Sequence, residues 1–327
     1  MRAMRLTAPR RPLEQVEIPD PEPDKDQVLV RVEACGVCRT DLHVLDGELP
    51  QAHYPVTPGH EVVGRVQALG RDVVGLALND RVGVPWMAHT CGHCLYCRSN
   101  QENLCDTPAF TGCSQDGGFA THVLAHRQFI LPLPATGDPA HMAPWLCAGL
   151  IGWRALRMAG DGQRLGLYGF GASAHLIAQV ARHQGREVFA FTRPGDMAGQ
   201  AFARTLGAVW AGSSDEAPPC PLDAAIIFAS VGALVPMALG HVRKAGRVVC
   251  AGIHMSDIPA FAYERLWGER RIVSVANLTR QDGLDFLDEV AQRPIVTHVT
   301  CYPLARANDA LDDLREGRFS GAAVLVP

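Results

Sequence analysis

Apolar positions along this chain follow two rhythms. Up to about residue 145 they come as short β-branched runs broken by glycine. QVLVRVEACGV (27–37) and HEVVGRVQALG (60–70) are examples, and PDPEPDKD (19–26) punctuates them. Such runs predict strands joined by surface turns, with VTPGHE (56–61) and LNDRVGVP (78–85) expected as loops entering or leaving strands. From about Ala148 the rhythm changes. RLGLY (164–168), EVFAF (187–191), VWAG (209–212), AAIIFA (224–229), RVVCAG (247–252) and RIVSV (271–275) are short, continuously apolar strands. Helical stretches stand among them at 172–185, 196–208 and GALVPMALGHVRKAG (232–246). A last helix, ANDALDDLREG (307–317), and a last strand, GAAVLVP (321–327), close the chain. Continuous apolar strands alternating with helices predict a doubly wound α/β fold, a parallel sheet covered on both faces. The expected division is a β-rich domain over 1–146 and 276–327 and a parallel-sheet domain over 147–275. No internal repeat or low-complexity segment stands out.

The length of 327 residues agrees with two domains rather than one core. Hydrophobic content of 47% and charged content of 20% are those of a soluble globular protein. A net charge of -4 gives no reason to expect nucleic acid as a partner. The first twenty residues hold no apolar signal core and no run of 18 apolar residues follows, so no membrane span is expected and the cytoplasm is the default compartment. That compartment changes the meaning of the eleven cysteines. In a reducing cytosol, clustered cysteines more often hold metal or do redox chemistry than form disulfides.

Four of them stand in fifteen residues, CGHCLYCRSNQENLC, as Cys91, Cys94, Cys97 and Cys105. A disulfide framework, a redox centre, a nucleic-acid knuckle and a structural metal clip all use such spacings. The knuckle is the poorest of these, because Arg98 is the only Lys or Arg between the first and last cysteine. His93 inside the lobe and Cys113 beyond it are competing ligands.

Gly169, Gly171 and Ala174 form G-x-G-x-x-A directly after an apolar strand and at the opening of a helix. The first glycine permits the turn, the second lets the backbone approach a pyrophosphate, and the small third residue lets helix and strand pack closely. This is a nicotinamide-dinucleotide signature in its required context. The second strand ends in Thr192-Arg193, where a carboxylate would bind a free ribose 2′-hydroxyl. An arginine there suits a 2′-phosphate, so NADP(H) is favoured and NAD(H) is the alternative. Stacking of Arg193 on adenine, or a return of Asp196 to the ribose, would weaken that preference.

GVCRTDLH (36–43) and PGHEVVG (58–64) offer a thiolate at Cys38, an imidazole at His60 and a carboxylate at Glu61. Cys35 and Cys38 also form a C-x-x-C redox candidate. A mixed sulfur and nitrogen set with an open position is what a catalytic zinc requires. Together with the four-cysteine lobe and GLYGFGASA (166–174), in that order and spacing, these motifs resemble the zinc-dependent alcohol dehydrogenases of the medium-chain dehydrogenase/reductase superfamily. The resemblance spans essentially the whole chain. It implies a GroES-like catalytic domain beside a Rossmann domain, and two zinc ions per chain. Cys38, His60 and Cys147 would be catalytic zinc ligands, with Glu61 a transient or neighbouring ligand. Asp41 would orient His60, Thr40 would hydrogen-bond the alcohol oxygen, and His43 would pass the proton on. Arg39 would contact the pyrophosphate. Cys91, Cys94, Cys97 and Cys105 would close a structural zinc site that leaves no position for water. Trp86 resembles the tryptophan that narrows the pocket in yeast-like members, which implies primary alcohols and aldehydes. Trp145 and Leu146 are further wall candidates. His122, His126, His175 and His254 match no motif and are read as structural or surface residues. A homodimer or homotetramer is expected. Two other classes are a zinc-independent quinone or enone reductase of the same superfamily and a non-catalytic scaffold protein. The set Cys38, Thr40, His43, His60 and Cys147 argues against both.

Overall fold

The β-branched run Gln27–Val37 forms an eleven-residue strand, the longest in the chain. Its neighbours are Val62–Leu69 on one side and Ala322–Val326 on the other, both antiparallel to it, and His122–His126 also pairs with it. The sheet continues outward through Arg81–Val84 to Leu131–Pro132, and at the other end to Val299–Pro303. LNDRVGVP, expected as a loop, therefore carries a strand in its second half. Two small two-stranded sheets, Arg2–Arg5 with Glu14–Glu17 and Met87–His89 with Ala109–Phe110, complete this part. The computed structural model describes residues 1–327 and divides them into two units. The first unit, which contains these sheets, comprises Met1–Ala148, Asn277–Leu287 and Thr297–Pro327.

The second unit, Gly149–Ala276 with Asp288–Val296, is built on six parallel strands. Their order is Trp210–Ser213, Glu187–Thr192, Arg164–Tyr168, Leu222–Ile227, Val242–Cys250 and Arg271–Ser274. The order reverses at Arg164–Tyr168, and the crevice beyond the carboxyl end of such a strand is where doubly wound sheets hold ligands. Tyr168, Phe191, Ile227, Leu239 and Val248 lie in the core between this sheet and the helix Leu234–His241.

Two details depart from the sequence pattern. The helix expected to run to Gly246 ends at His241, because Val242 turns extended and opens the next strand. The pairing with Leu222–Ile227 then skips between Val242 and Arg247, and Ala245 takes a left-handed conformation (φ 60°) in the resulting bulge. A helix over Arg280–Gln292 was not anticipated, and Asp288–Val296, from its later turns onward, belongs to the second unit rather than the first. The reason is a tether. The Gln179 side chain accepts from Val296 N–H at 2.8 Å and donates to the Val296 carbonyl at 2.9 Å. No helix is long and apolar enough to cross a membrane.

Candidate active site

Cys38 stands at the N-terminus of the helix Arg39–Asp46, where its sulfur accepts the Thr40 N–H at 3.3 Å. Asp41, at the third helical position, reaches back to the Cys38 N–H at 2.9 Å, so the pair forms a capping box with sulfur in place of a hydroxyl. The other oxygen of Asp41 accepts from Gly59 N–H at 3.2 Å and from His60 Nδ1 at 3.1 Å. One carboxylate thus fixes three things: the helix start, the Pro58-Gly59 turn, and the ring of His60. With Nδ1 protonated toward Asp41, Nε2 carries the lone pair, and it lies 3.0 Å from Cys38 Sγ. Gly59 is needed here. Its φ is +99°, and a Cβ would come within 2.4 Å of the Phe119 ring.

Cys147, just before the helix Ala148–Ala159, and Glu61 complete the cluster. The ligand atoms of Cys38, His60, Glu61 and Cys147 all lie within 4.8 Å of one another. Glu61 folds over Gly36, where a Cβ would collide with its Oε2 at 1.8 Å, and its Oε1 is buried with no hydrogen-bond partner. The four groups perturb one another's protonation. The hydrogen bond from Cys147, with His60 nearby, holds the Cys38 thiol well below its usual range against the effect of burial. That same bond, then burial, pushes Cys147 well above its own. Burial opposes charge on His60, yet Cys38 and Asp41 outweigh it and raise the imidazole well above its ordinary value. Burial, helped by the charge on Cys38, pushes Glu61 far up, and burial also raises Asp41. Groups that crowd and protonate one another in this way fit a divalent ion of mixed sulfur, nitrogen and oxygen ligation, such as zinc.

Trp86 is buried beside this cluster. Its ring meets His60 edge-on at 5.1 Å between centroids and stacks on Phe110 at 4.7 Å, while Nε1 donates to Asn277 at 3.1 Å. Trp145 donates to Thr297 at 2.9 Å, and Leu146 is buried where a side chain on Gly83 would be, so Leu146 packs into the sheet. Thr40 and His43 share a helix face, three residues apart. His43 Nδ1 meets Glu48 Oε2 at 2.5 Å, a contact the sequence did not announce. Cys35 is buried against Gly59 and Gly118, and burial raises its thiol well above the usual range.

The second cluster, Cys91, Cys94, Cys97 and Cys105, likewise has its four sulfurs within 4.8 Å of one another. Backbone N–H groups point at the sulfurs: Cys94 to Cys91 at 3.4 Å, Cys97 to Cys94 at 3.5 Å, Cys91 to Cys105 at 3.3 Å. Amides from His93 and Cys94 bring the Cys91 thiol down to about 6, whereas burial pushes Cys97 up to about 12. The His93 ring is exposed and turned to the Cys91 carbonyl, and Cys113 is buried outside the group, so neither competes. Four thiols and no further donor fit a closed tetrahedral zinc.

In the second unit, the G-x-G-x-x-A turn has the expected shape. Gly169 has φ +86°, and a Cβ there would press on Ala229 at 3.0 Å. A Cβ on Gly171 would meet nothing within 4 Å, and the helix Ala172–His183 begins at it with no side-chain cap. Backbone N–H groups are thereby left for an anion, which suits a pyrophosphate. Ala174 is fully buried. Thr192 departs from expectation. It is buried, and its hydroxyl donates to the carbonyls of Arg193 and Gly212 at 3.3 and 3.5 Å, so it faces the sheet rather than a ligand. Arg193 is exposed. Asp196 caps the helix Met197–Thr205 by accepting Gly199 N–H at 2.8 Å, which commits its carboxylate to the helix. Arg39 is exposed on the first turn of its helix. Of the unmatched histidines, His122 bonds Gln67 at 2.8 Å and His126 packs on His89, both near the surface.

Residues 24–135 match the family model described as the alcohol dehydrogenase GroES-like domain. Over 324 residues the chain is 47% identical to the "Probable alcohol dehydrogenase AdhA" of Mycobacterium tuberculosis, covering 96% of this chain and 93% of that one. Over 329 residues it is 32% identical to an alcohol dehydrogenase of Geobacillus stearothermophilus, covering 97% and 96%. The structure of a cobalt- and zinc-bound thermostable alcohol dehydrogenase from Pyrobaculum aerophilum superposes with a TM-score of 0.90 at 26% identity, over 100% of this chain and 99% of that one.

Proposed function

Because this chain belongs to the zinc-dependent alcohol dehydrogenases of the medium-chain dehydrogenase/reductase superfamily, we propose that each of its two sulfur-rich clusters holds one zinc ion, and that the mixed cluster is the catalytic one. The enzyme interconverts alcohols and their aldehydes or ketones with a nicotinamide cofactor. Zinc at Cys38, His60 and Cys147, with Glu61 in reach, supplies Lewis acidity toward the substrate oxygen, and the nicotinamide supplies the redox capacity. The chain's own residues do the rest. Asp41 keeps the lone pair of His60 pointed into the cluster. Thr40 takes the hydroxyl proton of an alcohol by hydrogen bond, and His43, on the same helix face, passes it toward solvent. Trp86, edge-on to His60, limits the room for substrate, which supports a preference for primary alcohols. The Gly171 turn and the uncapped helix behind it hold the pyrophosphate. Arg193 holds a ribose 2′-phosphate, so NADP(H) is the favoured cofactor.

The observation that carries this reading is the buried Glu61 oxygen with no partner inside a cluster of three other ligands. The cluster at Cys91–Cys105 has a structural role, since its four thiols leave no place for a substrate. A reducing cytoplasm, which keeps all eleven cysteines free, is the compartment we assign. A homodimer or homotetramer is the assembly we expect. One paired experiment tests the core of the reading: metal analysis of the purified protein, and absorbance of reduced nicotinamide on adding primary alcohols with NADP or NAD. Two zinc ions and alcohol-dependent reduction are expected. One zinc or none, or no alcohol dependence, would refute it.

A further inference from the structure

The helix Arg39–Asp46 ends in a particular way. Gly47 takes φ +75° and donates its N–H to Val44, while Glu48 N–H donates back to the carbonyl of His43 at 2.9 Å. These two bonds are those of a Schellman motif, and they turn the chain so that residue 48 lies over residue 43. A side chain at position 47 would collide with Pro9 at 2.8 Å, so the turn is tightly specified. The side chains then meet as well: His43 Nδ1 and Glu48 Oε2 are 2.5 Å apart. His43 is nearly buried at 11% side-chain exposure, whereas Glu48 is at 48%. The contact runs from the inside of the fold to water.

We propose that Glu48 is a positioning residue for His43 and the outlet of its proton path. Its carboxylate holds the proton of the imidazole on Nδ1, which makes Nε2 the nitrogen that receives a proton from the alcohol side. When the Nε2–H bond forms, the Nδ1–H bond breaks toward Glu48 Oε2, and Glu48 releases that proton to water. Other charged groups face the same helix end. Asp46 is near His43, but it is held by Arg315 of the helix Ala307–Glu316 through two bonds at 2.8 Å, and Arg10 also acts on it. The bond to Asp46 raises the Arg315 guanidinium above its ordinary value, and Glu48 adds to this from nearby. Asp46 is thus committed elsewhere, and Glu48 is the carboxylate in contact with the ring. This inference rests on the alcohol dehydrogenase reading and on His43 as its relay.

Two substitutions separate holding from accepting. In Glu48→Gln the amide oxygen still accepts from Nδ1, but the side chain takes no proton. In Glu48→Ala neither remains. Nitrogen NMR of the zinc-loaded protein, with His43 assigned by its loss in His43→Gln, reads the tautomer directly and needs no alcohol. The wild type and Glu48→Gln should show the proton on Nδ1, and Glu48→Ala a mixture of tautomers. The single-turnover rate of alcohol oxidation in dilute buffer should fall about tenfold in Glu48→Gln and recover on adding imidazole, because a small base replaces the missing acceptor. In a His43→Gln background Glu48→Gln should change nothing further. An unaltered tautomer in Glu48→Ala would overturn the positioning role. A wild-type rate in Glu48→Gln, a loss that imidazole does not restore, or an equal loss without His43 would overturn the outlet. If the wild type oxidises no alcohol, the functional reading falls, and the tautomer alone decides what Glu48 does to His43.

Discussion

Asp41→Asn is the sharpest single test of how the mixed cluster is held. The carboxylate accepts three hydrogen bonds, from Cys38 N–H, Gly59 N–H and His60 Nδ1–H, at 2.9, 3.2 and 3.1 Å. An asparagine has one oxygen. If that oxygen keeps Gly59 and His60, the amide NH2 faces the Cys38 N–H, donor against donor. Losing one bond to a charged, buried acceptor costs about 1.5–3 kcal/mol. A stability loss of roughly 2 kcal/mol is therefore expected, within the margin of an ordinary domain. The effect on metal should be larger than that of an exposed change, because the partner of a ligating histidine is typically worth about 10–100-fold in affinity. Asparagine can hold the right tautomer of His60 but no longer supplies a charge behind it. Alanine would leave three donors without a partner and is expected to cost solubility, which is why it is the poorer test. The assay is competition with a chromophoric chelator, following release in two phases. Asp41→Asn should weaken one zinc by tens-fold and leave the other, at Cys91–Cys105, unchanged. Wild-type retention of both ions, or equal weakening of both, would refute the argument that Asp41 serves His60.

Three further expectations are independent of that one. Cys97→Ser should reduce zinc content to one per chain and lower the thermal midpoint, while the remaining zinc stays with the mixed cluster; metal analysis and calorimetry check this. Arg193→Ala should lower kcat/KM for NADP by about tenfold or more and leave NAD little changed, since a charge-assisted bond to phosphate is worth about 1.5–3 kcal/mol; equal losses would show that Arg193 stacks on adenine instead. His241 accepts the hydroxyl of buried Tyr168 at 2.7 Å, and burial, aided by Arg265, lowers its protonation below the ordinary histidine range. The unfolded chain therefore takes up that proton first, so this contribution to stability is full above about pH 6.5 and is lost as pH falls toward the lower folded value. Urea unfolding across pH 5–8 should show a shallower slope in His241→Gln.

Much of this architecture was legible because the signals are local. The strand, turn and helix over 164–183 need only a continuous apolar run and small residues at fixed offsets. The cysteine lobe needs only its spacing. Asp41 beside His60 followed from the resemblance and is met by geometry. What stayed hidden depends on residues distant in the chain or on backbone shape. Leu234–His241 is apolar on nearly all sides, so its periodicity gave no end point, and the left-handed position of the bulge falls on Ala245 rather than on the glycine beside it, Gly246. The Gln179–Val296 tether joins positions that no pattern links. Thr192 was read by residue type, but a strand alternates its faces, and the hydroxyl fell on the side of the sheet. Glu48 looked like an ordinary surface acid. Its meaning comes from Gly47, whose left-handed turn brings it back over His43.

The pairing of Ala322–Val326 with Gln27–Val37 bears on how the polypeptide is made. Val37, Gly36 and Cys35 are in register with Ala323, Val324 and Leu325, so the end of the strand that leads into Cys38 lies against a strand that is made long after it. Cys91–Cys105 can come together within one short emerged stretch, whereas the mixed cluster must wait for Cys147, and its supporting strand must wait for Ala322–Val326 before it is flanked on both sides. Contacts between such distant positions form slowly. Translation stalled before Ala322, or a frameshift that replaces Ala322–Val326, would consequently injure the mixed cluster, at a place in the gene far from the codons for Cys38, His60, Glu61 and Cys147.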